Sequence, residues 1–312
     1  MTRISTAAEN NLVLYYMNQN QSNLDNLNTQ ISTGDTAQTY SQIPQQTSQL
    51  VDLRAETAQQ QGFTNTINVL STRMQTMSLS LQQIETSVSS FAALLPGAAF
   101  GVSNPTISQQ AEGLLQQVAG YLNVQDGSGY VFGGTDTSTP PVDLSALPTA
   151  TASLTTPVNG PPSSGGYYAG GPASAAVQIN TGVSVNYSIT ANNAQAFEPI
   201  IRVLNFLANQ GPFNPNNPAA QAAASQAGQL LNQAVSALTG LQGDLGLQQA
   251  QLGNELKVQQ NTVNIAQNGI SSIVATNQAT AITQLQTLET QLQASFSATS
   301  AISKLSLVSY LG

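Results

Sequence analysis

The sequence contains no cysteine, no histidine and no tryptophan, and it has little charge of either sign. Of 312 residues, 14 are Asp or Glu and 6 are Lys or Arg. Charged residues thus make up 6% of the chain, against roughly 25% in an average soluble domain. Without cysteine or histidine the chain cannot form a disulfide, a Cys/His metal site or a histidine-dependent catalytic triad. These absences exclude most familiar enzyme chemistry, and no enzymatic activity, metal or cofactor is expected.

The few basic residues exclude further classes of function. They are too scattered to neutralise a run of phosphates, so no nucleic-acid partner is expected. The longest early apolar run, residues 12–17, is too short to span a membrane, and no cleavable signal pattern is present, so membrane insertion is not expected either. The basic residues are Arg3, Arg54, Arg73, Arg202, Lys257 and Lys304.

Neutral polar residues replace the missing charges, and 38 of them are Gln. Among them, ten apolar residues follow one another at alternating spacings of four and three, which is the seam of a coiled coil. A helix of this length measures roughly 50 Å and needs a partner to bury its apolar stripe. The seam residues are Phe63, Ile67, Leu70, Met74, Met77, Leu81, Ile84, Val88, Phe91 and Leu95.

Helical sequence precedes and follows this seam. An earlier helix is expected to end at Gly34, and a segment carrying Leu50 and Leu53 leads towards the seam. Residues 219–310 hold no proline, and four glycines in this stretch, Gly240, Gly243, Gly246 and Gly253, predict tight packing within a long helix. A second, weaker seam follows, interrupted by Ser295 and Thr299. Its apolar positions are Leu285, Leu288, Leu292 and Ile302.

The middle of the chain has a different composition. Residues 136–172 are rich in Pro, Gly, Ser and Thr, and alternating apolar residues on either side of Asn180-Thr181-Gly182 predict a strand pair. Tyr130-Val131-Phe132 is another candidate strand. The predicted fold is mainly α with a β-rich insert: a long antiparallel helical coiled-coil core from both termini plus a small outward β domain. The predicted domains are an N-terminal helical arm (1–135), a β-rich inserted outer domain (136–197) and a C-terminal helical arm (198–312).

Apolar residues are also concentrated at the two ends of the chain, where charged, frayed tails would be usual. They belong either to the core of the chain itself or to an interface between subunits, and the sequence does not favour one over the other. These residues are Ile4, Leu12, Tyr15, Tyr16, Leu305, Leu307, Tyr310 and Leu311.

Candidate catalytic motifs are weak. Gly127–Gly133 departs by one residue from the dinucleotide-binding glycine spacing, and no Lys-Ser/Thr completes a phosphate loop. Asp52 and Glu56 would share a helical face, but solvated carboxylates are far commoner than a catalytic pair. The loop acids Asp126, Asp136 and Asp143 lack the spacing of a calcium loop.

Several segments, in order along nearly the whole chain, resemble the flagellin family, and most closely its hook-filament junction branch, the hook-associated protein 3 group. They are Arg3–Thr6, Leu27–Gly34 (LNTQISTG), Leu53-Arg54, Asp126–Thr135 (DGSGYVFGGT), Leu292–Ser295 and Leu305–Leu311 (LSLVSYL).

The chain departs from the family pattern at three places. Asp35 replaces a basic residue, Gln42-Ile43 replaces an acidic pair before Pro44, and Asn277-Gln278 replaces the acidic residues before the last helix. The Arg-Leu-Ser-Ser-Gly box and the C-terminal Ala-Asn-Gln-x-Pro-Gln segment typical of filament flagellins are absent, although a short, divergent flagellin remains an alternative. A secreted coiled-coil adhesin or interaction module is a third possibility from a different class.

The resemblance implies a structural subunit of the extracellular bacterial flagellum, exported by the flagellar type III apparatus without a cleavable signal. It implies that both arms are mobile in the free subunit and fold together on assembly, with the insert facing outward. The implied partners are identical subunits, the hook-side junction protein, flagellin and a flagellar export chaperone.

Overall fold

The computed structural model describes residues 2–95, 106–149, 152–172, 176–187, 189–210 and 217–311, and the side chains of residues 2–10, 106 and 302–311 lie outside the description. The described part is mainly helical, with a small antiparallel β insert of two sheets, as the sequence predicts. Its helices are α1 (Thr2–Thr33), α2 (Thr47–Leu94), α3 (Thr106–Leu122), α4 (Glu198–Asn209), α5 (Pro218–Val274) and α6 (Gln278–Leu311). Its strands are β1 (Gln125–Asp126), β2 (Gly129–Tyr130), β3 (Ala176–Asn180) and β4 (Val183–Asn186).

The helix ends follow local sequence signals. Gly34, with φ of 78°, closes α1, and its N–H donates to the Gln30 carbonyl at 2.8 Å, so the expected stop is confirmed. Asn217 caps α5 by accepting the Ala219 N–H at 3.0 Å, and Pro218 supplies the preset first helical residue. Asn277 accepts the Thr280 N–H at 3.2 Å at the start of α6. Short-range chemistry therefore determines where the long helices begin and end.

Packing divides the chain into two compact units, residues 1–59 with 261–312 and residues 60–260. Helices α2 and α5 each contribute to both units and run through without a break, and Gly62 does not interrupt α2. These units are defined by contacts rather than by order along the chain. The three-part division into residues 1–135, 136–197 and 198–312 stays a prediction.

In the first unit, α1 packs along α6. The Thr299 hydroxyl lies 3.7 Å from the Met17 sulfur, and the Thr276 and Thr36 hydroxyls are 3.1 Å apart, so the two helices are antiparallel. Beyond Gly34 a short bridge ties the chain to the α5–α6 junction, because the Thr36 N–H donates to the Val274 carbonyl at 2.6 Å. This bridge holds the end of α1 beside the start of α6.

In the second unit, one hydrophobic core joins the later part of α2 to α3, α4, the first part of α5 and the insert. Helix α5 runs antiparallel to α2, since Gln242 donates to Glu85 at 2.8 Å while Gly228 lies beside Leu95. Helices α3 and α4 pack against each other and bury the apolar faces that their helical spacing produces.

The insert contains two short hairpins within otherwise irregular chain. Strands β1 and β2 pair across the Gly127-Ser128 turn, and β3 pairs with β4 across Thr181-Gly182, where Gly182 has φ of 78°. The predicted strand over Tyr130–Phe132 is only partly formed, because β2 ends at Tyr130. Val131 and Phe132 instead bury their side chains in the core of the second unit.

The expectation of tight packing at four glycines of α5 is wrong. A Cβ atom built at any of the four would meet no heavy atom within 4 Å. They lie on open parts of the helix surface and cost helix stability without allowing a close approach inside the chain. The four are Gly240, Gly243, Gly246 and Gly253.

Candidate assembly surface

The paired terminal helices present one inner face and two exposed edges. The inner face of α1 repeats at four and three, and its side chains are buried or half-buried where α6 packs. On α6, Leu292 is buried and Leu285 and Leu288 are half-buried. The predicted second seam thus lies at the contact between the two arms, although the side chain of Ile302 is outside the described residues. The inner face of α1 comprises Val13, Met17, Asn20, Leu24, Leu27 and Ile31.

The apolar residues near the start of α1 are exposed. Leu12 is 54% exposed, Tyr15 61% and Tyr16 58%, and the two tyrosine rings meet edge to face with centroids 5.7 Å apart. Of the two alternatives for these three residues, membership of the chain's own core does not hold. The other predicted interface residues have side chains outside the described part of the chain: Ile4, Leu305, Leu307, Tyr310 and Leu311.

A groove of about 480 Å³ runs between α1 and α6. Leu27 and Leu288 contribute apolar surface, and the remaining lining is amide and hydroxyl groups without any charge. None of its five amide side chains has a hydrogen-bond partner among the described residues, which leaves donors and acceptors available to a binding partner. These amides belong to Asn23, Asn26, Gln30, Gln284 and Gln291.

Nine of the ten residues of the first seam lie along α2, and Leu95 directly follows it. All are buried except Phe63, which is half-buried, and from Ile67 onwards they join the core of the second unit. They therefore already have partners within one chain, on α5 and the elements that pack beside it. Their participation in an assembly core stays a prediction.

Arg73 attaches the β1–β2 hairpin to α2, and sequence reasoning missed this role. Its guanidinium donates to Asp126 at 3.0 Å, to the Ser128 hydroxyl at 3.1 Å and to the Tyr130 carbonyl at 2.6 Å. Both charged side chains are less than a tenth exposed. The sequence signal for this role is an arginine next to the seam residue Met74 in a chain with few charges. The sequence does not indicate its partner, because Asp126 is 53 residues away.

The carboxylates considered for catalysis occupy ordinary positions. Asp52 and Glu56 are exposed on α2. Hydrogen bonds from Ser138 and Thr139 lower the pKa of Asp136 to about 2, and a similar bond from Ser145 lowers the pKa of Asp143. Within the ranges that the structure describes, no three acidic side chains come together as a metal site would require. No helix in the same ranges combines the length and apolarity needed to cross a membrane.

These features define a helical protein whose paired terminal helices expose apolar and amide side chains to a binding partner. Comparison with known proteins gives the class more closely. Residues 229–311 match the family model described as the bacterial flagellin C-terminal helical region. The resemblance to the flagellin family is thereby confirmed.

The solved structures that are similar to this chain include two flagellar proteins. A protein described as flagellar hook-associated, from Vibrio parahaemolyticus, is 18% identical with a TM-score of 0.57, and the match covers 75% of this chain and 100% of that one. FlgL of Bacillus cereus is 15% identical with a TM-score of 0.49, over 66% of this chain and 98% of that one. No curated protein matches the sequence. The likeness to the Vibrio parahaemolyticus protein shows that the fold is flagellin-like.

Proposed function

We propose that this chain is a structural, non-enzymatic subunit of the bacterial flagellum, and that it acts as a hook-filament junction protein. It polymerises through the helices of its two termini and joins the hook-side junction protein to flagellin. The observation that carries the proposal is the antiparallel pairing of α1 with α6, which leaves the apolar residues Leu12, Tyr15 and Tyr16 exposed on one chain.

The flagellin match over residues 229–311 supports this role, because it covers most of α5 and all of α6. The likeness to a protein described as flagellar hook-associated shows the fold and supports the junction branch by analogy. The order of the resembling segments, from Arg3–Thr6 to Leu305–Leu311, adds to it.

The physical mechanism couples folding to assembly. Ordering a helical arm costs about 1–2 kcal/mol per residue in backbone entropy. Burial of apolar surface returns about 25 cal/mol per Å². Because the arm pair exposes apolar side chains, part of this burial is available only when a neighbour covers them. The outward position of the insert and the assembly role of the Phe63–Leu95 seam belong to the same proposal.

The location of the labelled protein in cells tests the proposal. A peptide tag in the exposed turn at Thr181-Gly182, detected by immunogold microscopy, is expected to mark a short zone at the base of each filament. Label along the whole filament would identify the chain as a flagellin instead. The absence of label from flagella, with unchanged motility of a deletion strain, would contradict a flagellar role and favour the secreted adhesin.

Export and partners are part of the proposal. We infer passage through the flagellar type III apparatus without a cleavable signal, with a dedicated export chaperone and an extracellular destination. A chain with no cysteine suits this route, since no disulfide has to form or be reduced along it. Loss of the protein from culture supernatants of a type III export mutant is the expected result.

A further inference from the structure

The terminal parts of the two arms, the paired helices α1 and α6, have two exposed edges of different chemistry, and these edges are complementary. Side chains on a helix advance by about 100° per residue, so residues on either side of the inner face form separate edges. The front edge consists of Leu12, Tyr16, Asn23, Asn26 and Gln30 on α1 with Gln284 and Gln291 on α6. The back edge consists of Leu14, Asp25 and Asn28 on α1 with Ile282, Glu289 and Phe296 on α6.

Each edge carries an apolar cluster. On the front edge these are Leu12 and Tyr16, and on the back edge they are Leu14 and Phe296, which are 50% and 55% exposed. The contact between Met17 and Thr299 places all four within a few helical turns of one another along the arms. One chain therefore exposes apolar surface on opposite sides of the same helix pair.

Each edge also carries a polar stretch. The front edge has the groove with its five unpartnered amides. At the corresponding level of the back edge lie Asp25 and Glu289, both exposed and neither paired with a cation among the described residues. Amide N–H groups donate to carboxylates in charge-assisted hydrogen bonds, which are stronger than bonds between neutral groups.

We propose that the back edge of one copy packs against the front edge of the next copy, with the two arm pairs parallel and in register. Leu14 and Phe296 then cover Leu12 and Tyr16, and Asp25 and Glu289 accept hydrogen bonds from the groove amides. Packing two back edges together would place each carboxylate against its own image, which is unfavourable. The contact is heterologous, so it produces a ring where the array closes and otherwise an open array with one free edge at each end.

This inference rests on the proposed function and specifies its contact between identical subunits. The occupant is a second copy because the chain itself supplies both complementary surfaces. A basic partner would find only two carboxylates on the back edge and no charge in the groove.

Cysteine cross-linking tests the pairing without background, because the chain contains no cysteine. Asn26→Cys lies on the front edge and Asn28→Cys on the back edge, two residues apart and both exposed. Full-length copies carrying one substitution each, one of them enlarged by a mass tag, are mixed at high concentration and oxidised. The expected result is a mixed N26C–N28C dimer at least about fivefold more abundant than either like-with-like dimer.

Two outcomes overturn the inference. One is a yield of N26C–N26C or N28C–N28C dimers that equals or exceeds the yield of the mixed dimer. The other is a mixed dimer no more abundant than that formed with Ser163→Cys in the exposed loop of the insert. Circular dichroism of each variant verifies that the helices are intact.

A matched pair of apolar substitutions gives a second readout. Phe296→Ser on the back edge is expected to lower the mixed-dimer yield at least about fivefold. An aromatic side chain that becomes buried at an interface contributes a large share of the binding free energy. Leu247→Ser, at an exposed leucine on α5 outside the arms, is expected to leave the yield within about twofold. Equal effects of the two would contradict the assignment of the edge.

The two proposals fail in different ways. Label on the flagellum without the mixed dimer keeps the proposed function and overturns the edge pairing. The mixed dimer without label on flagella keeps the edge pairing as a self-association contact and overturns the flagellar role.

Discussion

At the scale of single residues, the second unit depends on a buried ion pair in a chain that has few ions. Arg73 binds Asp126 at 3.0 Å and also holds backbone carbonyls of the following segment. Its guanidinium lies 5.8 Å from the centre of the Tyr187 ring. One side chain on α2 therefore positions the β1–β2 hairpin and contacts the segment that follows β4.

Replacing Arg73 with Met is expected to lower the free energy of unfolding by about 3–5 kcal/mol, because Asp126 would stay buried without its cation. Urea unfolding followed by circular dichroism measures the change. Arg54→Met is the matched control. Arg54 is exposed and contacts Tyr40, so its loss is expected to cost less than about 1 kcal/mol. Equal losses for the two variants would contradict the anchoring role of Arg73.

Glu198 at the start of α4 predicts a pH dependence. Burial raises the pKa of Glu198 above its ordinary value of 4.5, although Arg202 and the Val158 N–H act in the opposite direction. The folded chain thus binds this proton more tightly than the unfolded chain. The stabilisation from Glu198 is complete below its ordinary pKa and is lost as the pH rises through the raised value.

Glu198→Gln is expected to remove this component of the pH dependence. The free energy of unfolding of the parent should therefore rise relative to the variant as the pH falls from neutral to about 4.5. Urea titrations of both proteins across this range measure the difference. A parallel course of the two curves would show that the pKa of Glu198 is not raised.

At the scale of elements, α5 contains glycines that allow no close contact within the folded chain. Gly240, Gly243, Gly246 and Gly253 have open space around them, whereas Gly269 lies against Leu53, with 3.0 Å between a built Cβ atom and the nearest leucine carbon. The same residue type therefore has two different environments within one helix.

Alanine at an open glycine, such as Gly246→Ala, is expected to stabilise the isolated chain by about 0.5–1 kcal/mol, because alanine loses less backbone entropy in a helix. Gly269→Ala is the contrasting variant. Its added methyl group requires Leu53 to move, so it is expected to gain less or to destabilise. Thermal unfolding of the two variants compares them, and equal gains would show that the contact with Leu53 is unimportant.

At the scale of the whole molecule, scarcity of charge is consistent with a subunit that stacks against identical copies. An unpaired ion at such a contact would be desolvated or would face its own image, and both cost free energy. Neutral amides and hydroxyls avoid these costs and still form hydrogen bonds. The proposed edge pairing places the carboxylates that the arms do expose opposite amide groups.

Removal of residues 305–312 is expected to abolish incorporation into the flagellum while leaving the insert folded. The truncation shortens α6, whereas the core that supports the insert lies within residues 60–260. Immunogold labelling measures incorporation, and near-ultraviolet circular dichroism of the secreted protein reports the insert tyrosines. Unchanged incorporation would contradict assembly through the end of α6.

The sequence alone predicted the long helices, the seam from Phe63 to Leu95 and the β3–β4 turn, because each depends on spacing or local chemistry. Of the seam residues only Phe63 is not fully buried. Alternating spacings of four and three place residues on one side of a helix whatever its partner. Gly34 ends a helix and Asn277 starts one through contacts within a single helical turn. The resemblance to the flagellin family also came from the order of short segments along the chain, and the family-model match over residues 229–311 confirms it for the C-terminal helices.

Tertiary structure decided which faces are covered. Residues 12–17 are all apolar, so their sequence does not indicate which side of the helix is buried. The position of α6 makes Val13 and Met17 inner residues and leaves Leu12, Tyr15 and Tyr16 exposed. The pairing of Arg73 with Asp126 and the open space at Gly240 likewise depend on residues far away in the chain. Periodicity records the rotation of a side chain about its own helix, whereas burial depends on which other helix lies beside it.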